Sequence, residues 1–560
     1  MGHVNCAGDP RQSCSDHASS CEGHCGGARN AAAKGVIRIA IAALLFLCAG
    51  RPLKRRLVLA APGPAASSAV QPYAAGAPAE APETIVIDAQ APAHNFPHFW
   101  ERMFGSGRAI LSLRESYRRD LRTVKQATGF EYVRFHAVFD DEVGMYDEDG
   151  ASKPVYNFSY IDQIYDGLLD NGIRPFVELS FMPNKLAARP SIFPFWYKPN
   201  VSPPRDYDRW GDMVEAFTRH LVARYGADEV AQWYLEVWNE PNIGFWAGDP
   251  KEATYYQLYD VTARAIKRVD PRFRVGGPST AQAAWVDRFI QHCVQANVPV
   301  DFVSTHVYAN DTSQDVFGTT EKIPREQMVY RAVRKVHDQI KASARPGLPL
   351  IFSEYNASYM NEQNVTDSAY MGPWLAHNIA QCDGLTEMMS YWSFSDVFEE
   401  GGVVKRPFYG GFGLIAAGNI PKASFNAFRM LHELGGERLA LDSDEALATR
   451  TSDGRLAVAV WNYAPPGDRG APKQITLDLH GLARNQRHVR IQILDRDHGS
   501  SLDAWKAMGS PDFPSREQQR QLRDAAQMPA PAVQNLKSGG AASVTVNLPG
   551  QSLALLETEP

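Results

Sequence analysis

Two glutamates stand at the ends of apolar, strand-like runs. Glu240 lies in the segment WNEPN, residues 238–242, and Glu354 lies in the segment SEYN, residues 353–356. Two carboxyl groups facing each other across a cleft are what glycoside hydrolysis requires, because one donates a proton to the leaving oxygen while the other attacks the sugar or activates water. A gap of about 5 to 5.5 Å gives retention and one of roughly 6.5 to 9.5 Å gives inversion, and the sequence leaves this choice open.

The local sequence predicts how each carboxyl group is presented. Pro241 disfavours a helical backbone at the preceding residue, so Glu240 is expected to be extended. The period of two along a strand places Trp238 on the same face as Glu240. By the same rule, Phe352 shares a face with Glu354. Apolar surroundings near Glu240 would raise its pKa, as a proton donor requires.

Other polar and aromatic groups also end apolar runs: Arg134, His136, Asn239, His306, Tyr308 and Trp392. Histidine and asparagine can donate to and accept from sugar hydroxyls, while an aromatic ring can stack on the C–H face of a pyranose. Arg134 could keep one carboxylate ionised, or could form an ordinary buried ion pair. Taken singly, each histidine could equally be a structural residue.

The elements that must position these groups alternate from about residue 100 to residue 435, in the pattern of repeated βα units. Eight runs are predicted to be strands: 102–109, 132–139, 173–181, 233–239, 273–278, 301–308, 348–355 and 388–394. Helical patterns lie between them, at 160–171, 208–225, 254–269, 325–343 and 368–382. This order predicts an α/β fold, a (β/α)₈ TIM barrel, whose active site lies at the carboxyl ends of the strands. A doubly wound open sheet is the weaker alternative, because no glycine-rich phosphate loop follows a strand.

The pattern changes to hairpins after about residue 435. Asp453-Gly454 separates two strand-like runs and is a favourable two-residue turn. Residues 435–560 are therefore predicted to form a C-terminal accessory β-sandwich, with a helical or irregular insert at 501–527. Residues 84–434 are assigned to the barrel, and a lone strand at 84–93 could pair with the sandwich.

Residues 1–83 are predicted to be a disordered leader that ends in a linker rich in alanine and proline. The apolar segment within 35–50 is similar to an export signal, and it is too short for a membrane span, which needs about 20 residues. The basic residues at 54–56 argue against a cleavage site there. We expect a periplasmic, secreted or membrane-tethered protein, with a cytoplasmic location as the alternative.

Composition excludes several classes of protein. The chain has 57 basic and 63 acidic residues and a net charge of −6, so nucleic acid is not an expected partner. With 44 % hydrophobic and 21 % charged residues, it is neither a disordered chain nor a polytopic membrane protein. No metal site is predicted, because no HExxH motif occurs and the leader cysteines match no zinc spacing: Cys6, Cys14, Cys21 and Cys25.

Several segments resemble glycoside hydrolase family 39. Besides the two glutamate segments they are GSGRA at 105–109, RFH at 134–136, FMP at 181–183 and YWSFSDVFEE at 391–400. The resemblance runs from about residue 94 to the C-terminus. The Asn-Glu pair is shared with the wider clan of retaining barrel enzymes, whereas the last two segments point to family 39 itself.

The resemblance implies a retaining mechanism without a cofactor. Glu240 matches the general acid/base of the family and Glu354 matches its nucleophile. Asn239 matches the contact to the 2-hydroxyl of the bound sugar. His136 and His306 match positions that line the subsite of the non-reducing-end sugar.

The resemblance also bears on the substrate. Glu400, with Glu399 as second choice, resembles the carboxylate that holds the distal hydroxyls. In the family's iduronidases a lysine stands two residues after the sixth-strand histidine, where this chain has Tyr308, so the bacterial β-xylosidase branch is closer. The implied activity is exo-acting release of xylose from xylooligosaccharides, with an oligosaccharide or aryl glycoside as the substrate.

The sequence leaves alternative activities open. An endo-glycosidase acting on an exopolysaccharide and an α-L-iduronidase-like enzyme stay open, while a non-catalytic carbohydrate-binding barrel is disfavoured because it need not keep both glutamates. An exo-enzyme needs a closed pocket and an endo-enzyme needs an open groove. The aromatic segment FPFWY at 193–197 could wall the mouth, pack under a loop or form a contact in a homo-oligomer.

Overall fold

The structure is a computed structural model that describes residues 81–536 and 540–560. The predicted leader, with its apolar segment and its cysteines, lies outside the described residues. Within the described ranges, no helix combines the length and the apolar character needed to cross a bilayer.

Eight parallel strands close into a barrel. In chain order they are Met103–Gly105, Tyr132–Phe135, Arg174–Leu179, Tyr234–Val237, Arg274–Thr280, Phe302–Tyr308, Leu350–Asn356 and Met388–Tyr391. The eighth strand returns to the first, where Ser390 pairs with Met103. This closed parallel sheet confirms the predicted (β/α)₈ barrel.

A long helix follows each barrel strand, as the alternating sequence pattern predicts. These helices are Glu115–Thr128, Ser159–Leu169, Tyr207–Tyr225, Lys251–Val269, Val286–Gln295, Arg325–Ala342, Met371–Cys382 and Ala423–Leu431. Shorter helical turns are Ala227–Val230, Ser313–Phe317 and Gln363–Thr366, with 3₁₀ turns at Ala109–Leu113 and Ala281–Ala283. Local signals mark several ends; for example, the Asp206 side chain caps the third long helix by accepting from the amides of Asp208 and Arg209.

Inside the barrel, an apolar layer underlies a polar one. The apolar layer is made of Met103, Tyr132, Phe176, Tyr234, Phe302, Ile351 and Met388. Because strand side chains alternate, the residues two positions further along face inward as well, and they include Arg134 and Glu236. The apolar layer thus closes the amino-terminal end of the barrel, and the polar groups lie toward the carboxyl ends of the strands.

The predicted alternation is wrong at the end of the fourth strand. Trp238 packs outward against Trp210, with ring centroids 6.2 Å apart, whereas Glu240 faces the cavity. The strand ends at Val237, and Trp238 and Glu240 have φ angles of 71° and 43°. The expected extended backbone at Glu240 is therefore also wrong: the left-handed conformation avoids the helical region that Pro241 disfavours.

The seventh strand departs from alternation as well. Its pairing with the sixth strand skips one residue, so that Phe352 is opposite Thr305 and Glu354 is opposite His306. This irregularity turns both Ser353 and Glu354 into the barrel, while Phe352 belongs to the outer core. The prediction that Phe352 and Glu354 share a face is wrong, because an extra residue in a strand inverts the alternation beyond it.

Two further sheets form the accessory sandwich. The smaller sheet contains Glu83–Asp88, Lys473–His480 and Ala542–Leu548, and the larger contains Ala93–Asn95, Glu437–Leu439, Ala446–Arg450, Leu456–Asn462, Ser552–Glu559, His488–Leu494 and Ala532–Asn535. Their inner faces share one apolar core. Both strands that precede the barrel therefore belong to the sandwich; Glu83–Asp88 runs parallel to Lys473–His480.

The insert within the sandwich is helical and covers the barrel. Its helices, Leu502–Ala507 and Arg516–Ala525, pack on Phe408 and Ile420, which follow the eighth barrel strand. Two small hairpins complete the described elements: Tyr146–Glu148 with Pro154–Tyr156, and Ile415–Ala416 with Ile420–Pro421.

A buried ion triad fixes the chain after the eighth strand. The Lys422 ammonium lies 2.7 Å from a carboxylate oxygen of Asp367 and 2.7 Å from one of Asp396, and none of the three side chains is exposed. Asp396 also accepts from the amide of Gly413. The triad thereby ties the loop after strand eight to the seventh and eighth βα units.

We expect Lys422→Met to lower the free energy of unfolding by about 3–5 kcal/mol, because it leaves two buried carboxylates without a counter-charge. Chemical denaturation followed by tryptophan fluorescence measures the change. The control Lys322→Met removes an exposed ammonium and should change stability by less than about 0.5 kcal/mol. Equal stability of the two variants would contradict a structural role for the triad.

Candidate active site

A single buried guanidinium joins four barrel strands. Arg134 makes contacts of 2.6 Å with Glu354, 2.6 Å with Glu236 and 2.7 Å with Glu178, and it donates to the Asn239 side-chain oxygen over 3.0 Å. Arg134 is completely buried. A buried charge is tolerated only when paired and hydrogen-bonded, so these groups hold one another in place. The sequence left open whether Arg134 keeps a carboxylate ionised or forms an ordinary buried ion pair. In the structure it pairs with Glu354 and also forms buried ion pairs with Glu178 and Glu236.

Glu354 lies among donors. Besides Arg134, the Tyr308 hydroxyl donates to its second oxygen over 2.7 Å, and His136 Nε2 is 3.8 Å from the first. Burial raises the pKa of Glu354, while the positive charges of Arg134 and His136 and the Tyr308 hydrogen bond oppose that rise. These contacts favour the ionised form of Glu354.

Glu240 has the opposite environment. Burial and the nearby Glu354 carboxylate raise the pKa of Glu240 well above its ordinary value. Its only side-chain partner within the described chain is His306, whose Nδ1 lies 3.0 Å from Oε1. Carboxylate oxygens of Glu240 and Glu354 lie within 4.8 Å of each other. Two carboxyl groups this close do not both ionise readily, and the proton of the pair belongs on Glu240.

A hydrogen-bond chain sets which nitrogen of His306 carries the proton. The Ser353 hydroxyl donates to Glu236 over 2.6 Å, so it accepts from His306 Nε2, which is 3.1 Å away. Burial and the charges of Arg134 and His136 lower the pKa of His306 well below its ordinary value, so the ring is neutral. The Nδ1 lone pair then faces Glu240 and accepts from its protonated carboxyl group.

His136, Glu400 and Trp392 lie together beyond Glu354. His136 Nδ1 contacts Glu178 over 2.6 Å, and Nε2 is 3.7 Å from a Glu400 oxygen. Burial raises the pKa of Glu400 to about 8, with His136 opposing the rise. The rings of His136 and Trp392 are 4.7 Å apart.

Gly105 of the GSGRA segment explains how Trp392 reaches this position. A Cβ atom at residue 105 would lie 2.1 Å from the Trp392 ring, so only glycine permits the close approach. The ring consequently covers the first barrel strand and faces the cavity.

One cavity of about 370 Å³ joins these groups. It is lined by His136, Phe193, Phe195, Asn239, Glu240, Ile243, Phe245, Ala281, Gln282, Tyr308, Asp311, Glu354, Tyr359, Trp392, Glu400 and Phe412. Neither lysine nor arginine is among these lining residues. Phe193 stacks on Phe245 with ring centroids 3.9 Å apart, so the aromatic segment at 193–197 forms part of the wall.

Glu399 occupies a different position from the other candidate residues. Its carboxylate is bound by Arg108 and Arg114, and it is absent from the lining of the 370 Å³ cavity. It lines an adjoining cavity of about 510 Å³, which shares Phe195, Tyr359, Glu400 and Phe412 with the first.

Two side-chain groups in the site have the spacing of metal ligands: His136 with Glu178 and Glu354, and Glu240 with His306 and Glu354. Arg134 already supplies a positive charge to Glu178 and Glu354 at hydrogen-bonding distance. Glu354, the member that the two groups share, is therefore already paired with a guanidinium, as is Glu178.

Several side chains of the site have no role predicted from the sequence. Glu178, Glu236 and Ser353 belong to the hydrogen-bond network, and Asp311 and Gln282 line the cavity. The available signal for Glu178 and Glu236 was a charged residue inside an otherwise apolar strand, which requires a partner when buried. No comparable signal marked Gln282 or Asp311, because both lie in loops.

A (β/α)₈ barrel with paired glutamates at the carboxyl ends of its fourth and seventh strands has the architecture of a barrel glycoside hydrolase. Comparison with known proteins gives the family. The chain matches the family described as Glycosyl hydrolases family 39 over residues 83–542, and it belongs to this family. It is therefore a glycoside hydrolase, and the resemblance noted in the sequence is confirmed.

Individual relatives within and beyond bacteria are similar to this chain over most of its length. A beta-xylosidase of Geobacillus stearothermophilus is 38 % identical over 477 residues, which cover 83 % of this chain and 93 % of the relative. The crystal structure of a monomeric beta-xylosidase from Caulobacter crescentus CB15 matches with a TM-score of 0.78 at 35 % identity, covering 85 % of this chain and 99 % of that one. An alpha-L-iduronidase of Mus musculus is 22 % identical over 482 residues, covering 77 % of this chain and 72 % of the relative.

We expect Ser353→Ala to move the alkaline limb of the kcat/KM–pH profile down by about one unit. Without the serine hydroxyl, His306 can carry its proton on Nδ1 and donate to ionised Glu240, which lowers the pKa of Glu240. One hydrogen bond of about 1.4 kcal/mol corresponds to one pKa unit.

Ser353→Thr is the matched control because it keeps the hydroxyl, and it should retain the wild-type limb. An unchanged alkaline limb in Ser353→Ala would exclude the hydrogen-bond chain as a determinant of the Glu240 pKa.

Proposed function

We propose that this glycoside hydrolase is an exo-acting β-xylosidase that releases xylose from the non-reducing end of xylooligosaccharides with retention of configuration. The observation that carries the proposal is the difference between the surroundings of Glu240 and those of Glu354. One carboxyl group has surroundings that favour its proton, the other has donors that favour its charge, and their oxygens approach within 4.8 Å. This distance fits the short separation of retaining enzymes rather than the longer one of inverting enzymes.

In the proposed mechanism, Glu354 attacks the anomeric carbon while Glu240 donates its proton to the glycosidic oxygen. The bond from the anomeric carbon to that oxygen breaks, and the shortened sugar chain leaves as an alcohol. Glu240, now ionised, removes a proton from water, which attacks the anomeric carbon of the glycosyl ester and releases Glu354. Two inversions at one carbon give net retention.

The hydroxyls of the sugar being cleaved would be held at the Glu400 end of the cavity. His136 and Glu400 offer a donor and an acceptor, and the Trp392 ring offers an apolar surface for the sugar C–H face. Asn239 would contact the 2-hydroxyl: Arg134 donates to its side-chain oxygen, and its NH₂ group, which has no protein partner within the described residues, could donate to the sugar. Glu399, whose carboxylate is engaged by two arginines, would support this region indirectly.

The charge of the cavity supports a neutral sugar. Four lining residues carry carboxyl groups, Glu240, Asp311, Glu354 and Glu400, and none of the lining residues is a lysine or arginine. The cationic group among the lining residues, His136, is already paired with Glu178, so a uronate would find no free cation in this lining, which disfavours an iduronidase-like activity. Tyr308, at the position of the iduronidase lysine, donates to Glu354 instead. The named beta-xylosidases at 38 % and 36 % identity support xylose as the neutral sugar.

An endo-acting enzyme is the second candidate. The cavity of about 510 Å³ that adjoins the site past Glu400 offers space in which a polysaccharide could continue beyond the first sugar. The exo-acting alternative is preferred because Glu400 and the aromatic residues Phe195 and Phe412 stand at the junction of the two cavities.

The substrate prediction can be tested with 4-nitrophenyl β-xyloside, β-glucoside, α-arabinoside and α-iduronide, together with xylotetraose. We expect the β-xyloside to be hydrolysed fastest, with β-xylose as the first anomer seen by NMR. From xylotetraose, xylose and xylotriose should appear together, because an exo-enzyme removes one terminal sugar. Xylobiose as the first product would favour the endo-acting alternative, and α-xylose as the first anomer would exclude retention.

We expect Glu354→Gly to lower kcat at least about 10⁴-fold, because the nucleophile is lost. Azide should restore part of the turnover by entering the vacated space, and the product should be the α-xylosyl azide. Glu354→Gln is the matched control, because it removes the charge without creating space and azide should not rescue it. Failure of azide to rescue Glu354→Gly, in a variant with the wild-type melting temperature, would remove Glu354 from the nucleophile role.

A further inference from the structure

The turn after the fifth barrel strand has an unusual backbone. Gln282, Ala283 and Trp285 have φ angles of 62°, 50° and 62°, a conformation that residues with side chains seldom adopt. Backbone of this kind persists only where the surroundings hold it, and it is concentrated at functional sites.

Asn242, the last residue of the WNEPN segment, holds this turn. Its side-chain NH₂ donates to the Ala281 carbonyl over 3.0 Å, and its side-chain oxygen accepts from the Ala281 amide over 2.9 Å. The Thr280 hydroxyl closes the turn by donating to the Ala284 carbonyl over 2.6 Å. The same segment that contains Glu240 thus fixes the position of the neighbouring turn.

The turn presents Gln282 to the cavity with its hydrogen-bonding capacity unused. Gln282 lines the cavity that contains Glu240. Within residues 81–536 and 540–560, its side-chain amide has no hydrogen-bond partner, although it offers two donors and an acceptor. A polar group fixed by a constrained backbone and left without a partner is suited to bind a ligand.

Asp311 faces the same part of the cavity. One of its oxygens accepts from the Tyr308 amide over 2.8 Å, and in the described part of the chain the carboxylate has no lysine or arginine partner. Burial raises the pKa of Asp311 to about 7. Its second oxygen is available to accept from a hydroxyl group in the cavity.

Both residues adjoin Glu240 rather than Glu400. The Glu240 amide donates to the Ser279 carbonyl over 2.8 Å, three residues before Gln282. Asp311 is close enough to Glu240 to affect its charge, whereas the charged neighbours of Glu400 are His136, Glu354 and Glu178. An acid that protonates the leaving oxygen has the leaving group beside it. The Glu240 end of the cavity is therefore where the leaving group lies.

We propose that Gln282 and Asp311 form the binding site for the leaving-group sugar and make a sugar, rather than an aromatic alcohol, the preferred leaving group. The inference rests on the proposed function. The Gln282 amide can donate to and accept from vicinal hydroxyls, and the Asp311 carboxylate accepts from a hydroxyl. Ile243 and Ala281 line the cavity beside them and supply apolar contact for the ring.

The test compares kcat/KM for xylobiose with kcat/KM for 4-nitrophenyl β-xyloside. The nitrophenyl leaving group has no hydroxyl for Gln282 or Asp311 to bind. Because it also needs less protonation by Glu240 than a sugar does, the ratio is taken on the pH plateau of each variant, where Glu240 carries its proton and the ratio reports recognition of the leaving-group sugar. We expect Gln282→Ala to lower the ratio about three- to tenfold, the effect of one neutral hydrogen bond. Asp311→Asn keeps the acceptor for the Tyr308 amide and should lower the ratio about tenfold.

Gln314→Ala is the matched control, because Gln314 is exposed, lies three residues from Asp311 and does not line the cavity. Its ratio should equal that of the wild type. Misfolding of a variant would lower both rates in proportion and leave the ratio unchanged, so a lower ratio cannot arise from loss of folded enzyme.

Two failures are distinguishable. A wild-type ratio in both Gln282→Ala and Asp311→Asn overturns the inference while leaving the β-xylosidase proposal intact. If the wild type cleaves neither xyloside, the proposed function fails. The same ratio is then measured with the disaccharide and the aryl glycoside of the sugar that the enzyme does accept, and an unchanged ratio there overturns the inference too.

Discussion

The guanidinium of Arg134 is the constraint on which the site depends. It lies above the apolar layer of the barrel, out of contact with water, and it meets Glu178, Glu236 and Glu354 within 2.7 Å. Removing such a charge from water is costly, and only the combined attraction of several carboxylates and hydrogen bonds offsets the cost. The strands that carry these groups are consequently held in one register, and every other group of the site is placed relative to that centre.

From this centre the two glutamates acquire different properties through their neighbours alone. Glu354 receives Arg134 and the Tyr308 hydroxyl, whereas Glu240 receives a neutral histidine whose free nitrogen faces it. The surroundings of Glu354 thus stabilise its negative charge, whereas those of Glu240 stabilise its proton, although oxygens of the two side chains are less than 5 Å apart. Such a difference between neighbouring titratable groups is how a site obtains an acid and a nucleophile from two identical side chains.

The cavity holds two further sets of polar groups besides the two glutamates. His136, Trp392 and Glu400 lie at one end, where the sugar to be released would bind. Gln282 and Asp311 lie at the other, beside Glu240, and Asn242 ties that end to the strand that carries the acid. Because Asn242 and Thr280 hold the turn by hydrogen bonds, a leaving-group sugar would be bound without ordering a loop, which reduces the entropy lost on binding.

The sequence by itself determined the architecture and singled out the two glutamates that are proposed to react. Regular alternation of apolar runs and amphipathic stretches predicts a barrel, because each pattern is local and repeats eight times. Glu240 and Glu354 could be predicted to lie together because polar residues that close apolar strands meet at one end of such a barrel. The distinctive segments around them were sufficient to indicate the family.

Only the tertiary structure decided which side chains surround Glu240 and Glu354. The strand irregularity at Ser353 and the left-handed backbone at Glu240 break the alternation from which facing was predicted. The irregularity arises from the pairing of the sixth and seventh strands, which local sequence does not encode, and Glu240 lies beyond the end of its strand. Gln282 and Asp311 follow the fifth and sixth barrel strands, and their nearness to Glu240 results from the parallel pairing of the fourth strand with the fifth and of the fifth with the sixth. Local periodicity therefore defines the elements, whereas the spatial convergence of distant loops defines the site.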